Sequence, residues 1–356
     1  MKTKKSCFAL SLLFLVLNLS GLEGKEKFQH VKVTDLKSEY QTDPTGIDLA
    51  PQFSWRLESD QRGILQTAYR IIVSSSLEKL HSDNGDIWDS GQVNSPASVG
   101  ISFNGENLVS RKRYYWKVKV WQDRYTSSVW SEPSSFEMGL LDKDDWKSNW
   151  IGYAPGMPGR VLYFKGTFVP PKPIKQARAY IAGIGYSSLF INHKKVGDHV
   201  LDPAQSNYSK RVYYVTYDIT DHLLPQLNSI VIPVAPGWLG TARLRAQVEI
   251  DYQDNTTEVL TSDRFRSVTT GPIMYSSIYD GEQYDARLDV PQIHEPGIPQ
   301  GLMNAHWAWA HNTDDPVGEM VAQKIDPIRI VEQITPTLLK EPSPGVYVFD
   351  AGRNLA

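Results

Sequence analysis

Apolar and polar residues alternate in short runs over 31–138, and clusters of turn-forming residues separate the runs. Gln52-Phe53-Ser54-Trp55-Arg56-Leu57 alternates, as does Ala68-Tyr69-Arg70-Ile71-Ile72-Val73. In the long run 114–121, a period of two sets Tyr115, Lys117 and Lys119 opposite Trp116, Val118 and Val120. This pattern predicts an antiparallel sandwich with Trp55, Tyr115, Trp116 and Trp130 in its core. Residues 140–150, rich in Asp and Lys, read as a linker. Candidate strands at 162–164, 177–181, 189–191, 212–216, 229–234, 247–252 and 258–260 predict a second sandwich. Within it, Thr220 is placed to cap a short helical turn that Pro225 stops. The proline-rich stretch 291–299 reads as irregular linker, and no heptad or fixed-period repeat is visible. The class is all-β, built of tandem antiparallel β-sandwiches.

The N-terminus changes the setting of this fold. Lys2, Lys4 and Lys5 precede an apolar stretch at 8–19, and small residues lead into Lys25-Glu26-Lys27, so residues 1–24 are expected to be a secretory signal peptide. The stretch is shorter than the roughly 20 residues of a membrane span, and no later segment is apolar for long enough. The product is expected to be exported, periplasmic or secreted, with no membrane span. Cys7 is the only cysteine and lies inside the signal, which removes disulfides and thiolate chemistry from the mature chain. A net charge of −3, with no basic run interleaved with aromatics, argues against nucleic acid as a partner.

Chemistry concentrates after the predicted turn Asn192-His193-Lys194-Lys195. Asp198, Asp202, Asn207 and Tyr208 crowd a loop that contains Pro203, and carboxylates, amides and aromatic faces bind sugar hydroxyls or a hard cation. Asn192 and Trp238, the latter in Pro236-Gly237-Trp238-Leu239-Gly240, complete a candidate carbohydrate site of Asn192, Asp198, Asp202, Asn207 and Trp238. Asp198, Asp202 and Asn207 are its candidate calcium ligands, although no cofactor is required. Taken singly, the same residues suit plainer roles: Asn192 a positive-φ turn, the two aspartates loop caps, and Trp238 a packing plug. His193, His199 and His222 lack the paired helical spacing of a zinc site, and no Gly-x-Ser-x-Gly elbow or phosphate-cradling loop is present.

Two resemblances rest on longer stretches. The strand Tyr114-Tyr115-Trp116-Lys117-Val118-Lys119-Val120-Trp121, of Tyr-x-Trp-x-Val type, followed by Trp130-Ser131-Glu132-Pro133 and a last strand Ser135-Phe136-Glu137-Met138, resembles fibronectin type III domains. Further on come four ordered motifs. They are Gly197-Asp198-His199-Val200-Leu201-Asp202-Pro203; Tyr217-Asp218-Ile219-Thr220-Asp221; Gly271-Pro272-Ile273 leading to Tyr279-Asp280-Gly281-Glu282-Gln283-Tyr284-Asp285-Ala286-Arg287; and Gly345-Val346-Tyr347-Val348-Phe349-Asp350-Ala351-Gly352-Arg353-Asn354. The ordered set resembles the N-terminal part of a bacterial α-L-rhamnosidase, with Phe265 where that family commonly has a tryptophan nearby.

The resemblance implies a fibronectin type III-like domain at 28–140 and a galactose-binding-like jelly roll at 146–290. It also implies a linker or insertion at 291–324 and the start of a truncated β-domain at 325–356. The family hydrolyses terminal α-L-rhamnose with inversion, on an (α/α)6 barrel that these residues do not include. The expected partners are a rhamnose-containing glycan and that C-terminal catalytic domain, and the chain alone is expected to be inactive. Some family members have a sandwich of this kind that binds rhamnose with calcium. Inverting hydrolysis needs two carboxyl groups roughly 6.5–9.5 Å apart across the sugar. Glu282 and Asp285 sit too close along the chain to oppose one another, so no catalytic residue is assigned, and an ion-paired turn of Glu282, Asp285 and Arg287 is expected instead. A stand-alone lectin-like surface protein is the alternative reading.

Overall fold

The computed structural model describes residues 31–106, 108–122, 126–153, 159–237, 241–289, 291–295, 297 and 307–354. The expected signal peptide, Cys7 and Trp238 lie outside the described residues. In the first sandwich, Lys32–Ser38, Gln52–Glu58 and Ile101–Ser102 form one antiparallel sheet. The facing sheet runs in the spatial order Thr45–Ile47, Ser134–Met138, Arg113–Trp121, Ala68–Ser74 and Trp88–Asp89, with its first pair parallel. The inward positions of both sheets meet in one core of Phe53, Trp55, Ile71, Val73, Tyr114, Trp116, Val118, Val120 and Phe136. The Phe53 and Trp116 rings are 4.4 Å apart, and Trp55 Nε1 donates to the buried Gln66 Oε1 at 3.0 Å, which satisfies its polar edge.

Two aromatic residues expected in this core are not there. Tyr115 and Trp130 are only half-buried, on the outer face of the sheet. Trp130 lies under Lys117 and Lys119, whose Nζ atoms are 5.0 and 4.9 Å from its ring, with the Arg70 guanidinium at 5.8 Å. The odd-numbered face of Arg113–Trp121 carries the cations, and a tryptophan laid over it gains cation–π contacts instead of core packing.

The second sandwich stacks two larger sheets. One runs Lys194–Lys195, Phe190–Ile191, Asn228–Ala235, Leu162–Phe168, Ser267–Thr270, Trp307–Trp309. The other runs His311–Asn312, Ile151–Gly152, Arg243–Tyr252, Ile174–Ile184, Arg211–Asp218, Glu319–Ala322. Phe164, Ala179, Ile181, Ile232, Leu244, Val248 and Phe265 are buried between them.

The stretch expected to be linker, 291–324, instead supplies strands to both sheets. Thr269 pairs with Trp307, His311 with Gly152, and Arg211 in parallel with Glu319. Trp307-Ala308-Trp309 alternates like a strand, but its partners lie far away in sequence, where local proline content carries no information. Thr220 is not a cap either. It lies inside the 3-10 turn Thr220–His222, and Asp218 Oδ1 accepts from its amide at 3.1 Å. The hairpin Phe190–Ile191/Lys194–Lys195 turns through Asn192 and His193 at φ 49° and 71°, the left-handed pair of a type I′ turn. A separate hairpin, Thr337–Ser343 with Val346–Asp350, stands exposed on both faces.

Polar and apolar contacts join the sandwiches. Glu137, in the last strand of the first, is buried and faces Arg178 of the second through two hydrogen bonds of 2.5 and 2.8 Å. Arg113 reaches the same carboxylate at 3.0 Å, Asp218 lies 2.7 Å from Arg178, and Arg111 pairs with Glu249. Beside this cluster Leu140, Trp150, Tyr180, Tyr214 and Ala322 pack as an apolar group, and Tyr214 Oη accepts from the Leu140 amide at 3.1 Å. Gly46 lies at φ +86°, and a Cβ there would sit 2.0 Å from Thr216 Oγ1, so only glycine lets the first domain's loop lie on the second domain's strand.

Breaking one half of a buried ion pair leaves a charge without compensation, at about 3–5 kcal/mol. Because Arg178 keeps Asp218 at 2.7 Å, Glu137→Gln is expected to lower stability by the lower end of that range, about 3 kcal/mol, in urea denaturation. The apolar double variant Glu137→Leu with Arg178→Met should recover most of the loss, because it removes both charges together.

Candidate functional site

The domains enclose a cleft of about 710 Å³ between the 40–46 loop of the first sandwich and His199, Thr216 and 323–331 of the second. The strand pair His199–Val200 and Ile328–Arg329 forms its far wall and sets His199 opposite Arg329. Arg329 Nε donates to Asp198 Oδ2 at 2.9 Å, and its Nη2 lies 3.3 Å from His199 Nε2. His199 Nδ1 lies 2.7 Å from the buried Asp202 carboxylate. The His199 ring thus bridges the Asp202 carboxylate and the Arg329 guanidinium.

Asp202 is held from three sides. Besides His199, it accepts from Tyr217 Oη at 3.2 Å and from Gln323 Nε2 at 3.1 Å. Burial, reinforced by this carboxylate, keeps the Tyr217 phenol well above its ordinary pKa, so it remains a donor. Desolvation opposes ionisation of Asp198, but the Arg329 guanidinium still draws its carboxyl below the usual range.

The near wall carries a residue that sequence reasoning missed. Glu39 and Tyr40 occupy the centre of a tight turn closed by reciprocal Ser38–Gln41 hydrogen bonds of 3.0 Å, at φ 51° and 63°. Bulky residues avoid this conformation, at about 1–2 kcal/mol each. The turn leaves the Tyr40 ring 57% exposed at the cleft. Such turns ordinarily carry Asn-Gly, so Glu-Tyr gave no cue. With Tyr40 on one side and Arg329, Gln41 and Asp326 around it, the cleft offers an aromatic face beside hydrogen-bonding groups.

Of the residues singled out in the sequence, Asp198 and Asp202 come together around His199. Asn192 and Asn207 stand apart from them, and Trp238 lies outside the described residues. Asn192 spans the sandwich edge, donating to His222 O and Asn228 Oδ1 and accepting from the Ser229 amide. Asn207 closes its own turn, accepting from the Ser209 amide and hydroxyl at 3.0 and 2.7 Å.

Calcium prefers several converging oxygens free of other partners. Here Asp202, Asp198 and Asn207 each accept hydrogen bonds from protein donors, and the Arg329 guanidinium lies against Asp198. Among the described residues, no group of three or more His, Asp or Glu side chains is placed to hold a metal ion. The residues do not fit a calcium shell. Asp285 pairs with Arg287 at 2.6 Å and caps the turn Ala286–Leu288, while Glu282 lies on an exposed strand and does not join that pair.

Comparison with known proteins gives a consistent result. Residues 33–142 match the family model "Rha78A-like, N-terminal immunoglobulin domain", and residues 172–332 match "Alpha-L-rhamnosidase N-terminal domain". An α-L-rhamnosidase of Formosa agariphila is 32% identical over the whole chain, which spans 41% of that protein. The solved α-L-rhamnosidase from Dictyoglumus thermophilum is 35% identical with a TM-score of 0.84, over 91% of this chain and 38% of that one. The α-L-rhamnosidase from Aspergillus terreus is 26% identical with a TM-score of 0.79, over 91% of this chain and 39% of that one. The chain thus spans well under half the length of these relatives.

The hydrogen bonding separates the two aspartates energetically. Asp202→Asn turns an amide donor toward buried donors and is expected to cost about 1–3 kcal/mol. Asp198→Asn, which loosens an exposed, solvent-screened pair, should cost less. Urea midpoints of the two variants check this order.

Proposed function

The chain belongs to the α-L-rhamnosidase family by both of its matched domains, and on that premise we propose that it is the non-catalytic N-terminal platform of an exported enzyme. That enzyme removes terminal non-reducing α-L-rhamnose from glycosides and polysaccharides with inversion, on a catalytic domain beyond these residues. The tandem order of the two matched domains is the observation that carries the reading. In it, the sandwiches hold a rhamnose-containing glycan at the cleft between them, with Tyr40 against the apolar side of a sugar ring and Arg329 and Gln41 toward its hydroxyls. No metal is required.

Purified chain is expected to give no turnover of an aryl α-L-rhamnoside. Activity that disappears in Glu282→Gln would overturn the non-catalytic assignment. Calorimetry with L-rhamnose should detect weak binding, on the order of a millimolar Kd, equal with calcium and with a chelator. Tyr40→Ala should weaken it by about five- to tenfold, the worth of one aromatic contact. An absence of heat under both conditions, or an unchanged Kd in Tyr40→Ala, would remove the cleft from the proposal.

A further inference from the structure

A second cavity, of about 590 Å³, opens on another part of the domain junction and shares no lining residue with the cleft. Its walls are the 140–146 segment, the 315–320 segment and Arg245 from the central strand Arg243–Tyr252. Arg245 stands out among the partly buried guanidinium groups. Arg178 has Glu137 and Asp218, Arg111 has Glu249, and Arg266 has Asp263 and Asn312.

Arg245 hydrogen-bonds to no carboxylate among the described residues. Its side chain is only 15% exposed, yet the nearest acid, Asp315, is 3.8 Å away and 70% exposed. The one hydrogen bond of its Nη1 is to the Met320 sulfur, at 3.6 Å, and its Nε is buried without a hydrogen-bond partner among the described residues. Burial lowers its pKa despite Asp315. The guanidinium lies 5.1 Å over the ring of Trp146, which is held edge-on by Tyr180 and Tyr214. A desolvated cation with no hydrogen-bonded anion is costly, and this one is fixed in place at a cavity wall beside a half-buried tryptophan.

We infer that this cavity is a binding site for a carboxylate-bearing sugar, a uronate residue, with Arg245 taking the carboxylate and Trp146 bordering the ring. The planar guanidinium fork matches a planar carboxylate, and the cavity volume lies within the range of small-ligand sites. The other charges at the cavity are Lys143 on one side and Asp142, Asp315 and Glu319 on the other, all exposed. Solvent and salt screen those rim charges, whereas Arg245 acts from a drier wall where its field is less attenuated. Asp315 is the occupant that a uronate would displace.

Calorimetry on the whole chain with sodium D-glucuronate, methyl D-glucoside and glucose 6-sulfate tests this. Glucuronate should bind, methyl glucoside should give no heat, and glucose 6-sulfate should bind more weakly than glucuronate. Arg245→Lys, which keeps the charge and removes the fork, should weaken glucuronate binding at least tenfold. Asp315→Asn should tighten it several-fold, a gain that a purely structural arginine would not give. Melting temperatures of both variants establish that they are folded. Equal heats for glucuronate and methyl glucoside, preference for the sulfate, unchanged affinity in Arg245→Lys, or weaker binding in Asp315→Asn would each overturn the assignment.

Discussion

The bidentate contact of Arg178 with Glu137 is the constraint on which the rest of the structure depends. Tandem domains joined by a short linker ordinarily move relative to one another, because their shared interface is small and polar. Here a buried carboxylate at the end of one sandwich meets a buried guanidinium on the sheet of the next. The fork geometry fixes direction as well as distance. The adjoining apolar group of Leu140, Trp150, Tyr180 and Tyr214 keeps water away and strengthens the pair. Both cavities lie at this junction, so their shapes hold only while the domains keep one orientation.

Three buried charges along the junction are handled differently. Arg178 is neutralised by carboxylates, so it acts as a joint. Asp202 is surrounded by His199, Tyr217 and Gln323, donors that spread its charge over three hydrogen bonds and bind the 199–202 loop to the segment after Ala322. Arg245 has only the exposed Asp315, at 3.8 Å, and no hydrogen-bonded carboxylate among the described residues. The same desolvation cost applies to all three, and only the first two are offset within the chain.

Much of the fold was legible in the sequence because a period of two is a local property. The strand containing Trp116, Val118 and Val120 lies where alternation put it, and Asn192 is the positive-φ turn residue its type suggested. Facing is harder to read in loops. Trp130 follows a strand without belonging to it, so periodicity could not say that it covers Lys117 and Lys119 from outside. Strand partners far along the chain were likewise hidden, and so 307–322 read as linker. In the candidate site, the proximity of Asp198 and Asp202 follows from their spacing, but the residues that decide their chemistry do not. His199 was set aside for lacking zinc spacing, and Arg329 lies 131 positions beyond Asp198. Tyr40 was invisible for a different reason, since its turn departs from the residue types that its backbone angles favour.

The polar loop illustrates how one set of atoms can serve two designs. Carboxylates and amides of the kind that encircle a cation are here each matched to a protein donor, which ties the loop to its neighbours. Rigidity of this kind matters for weak ligands such as neutral sugars, whose few contacts leave little free energy to order a mobile wall. A cleft with its far wall fixed by Asp202 and its near wall by the strained Tyr40 turn presents both surfaces already in place. The arginine at the junction therefore acts on the cleft at a distance: by holding the domains, it holds the two walls at one separation.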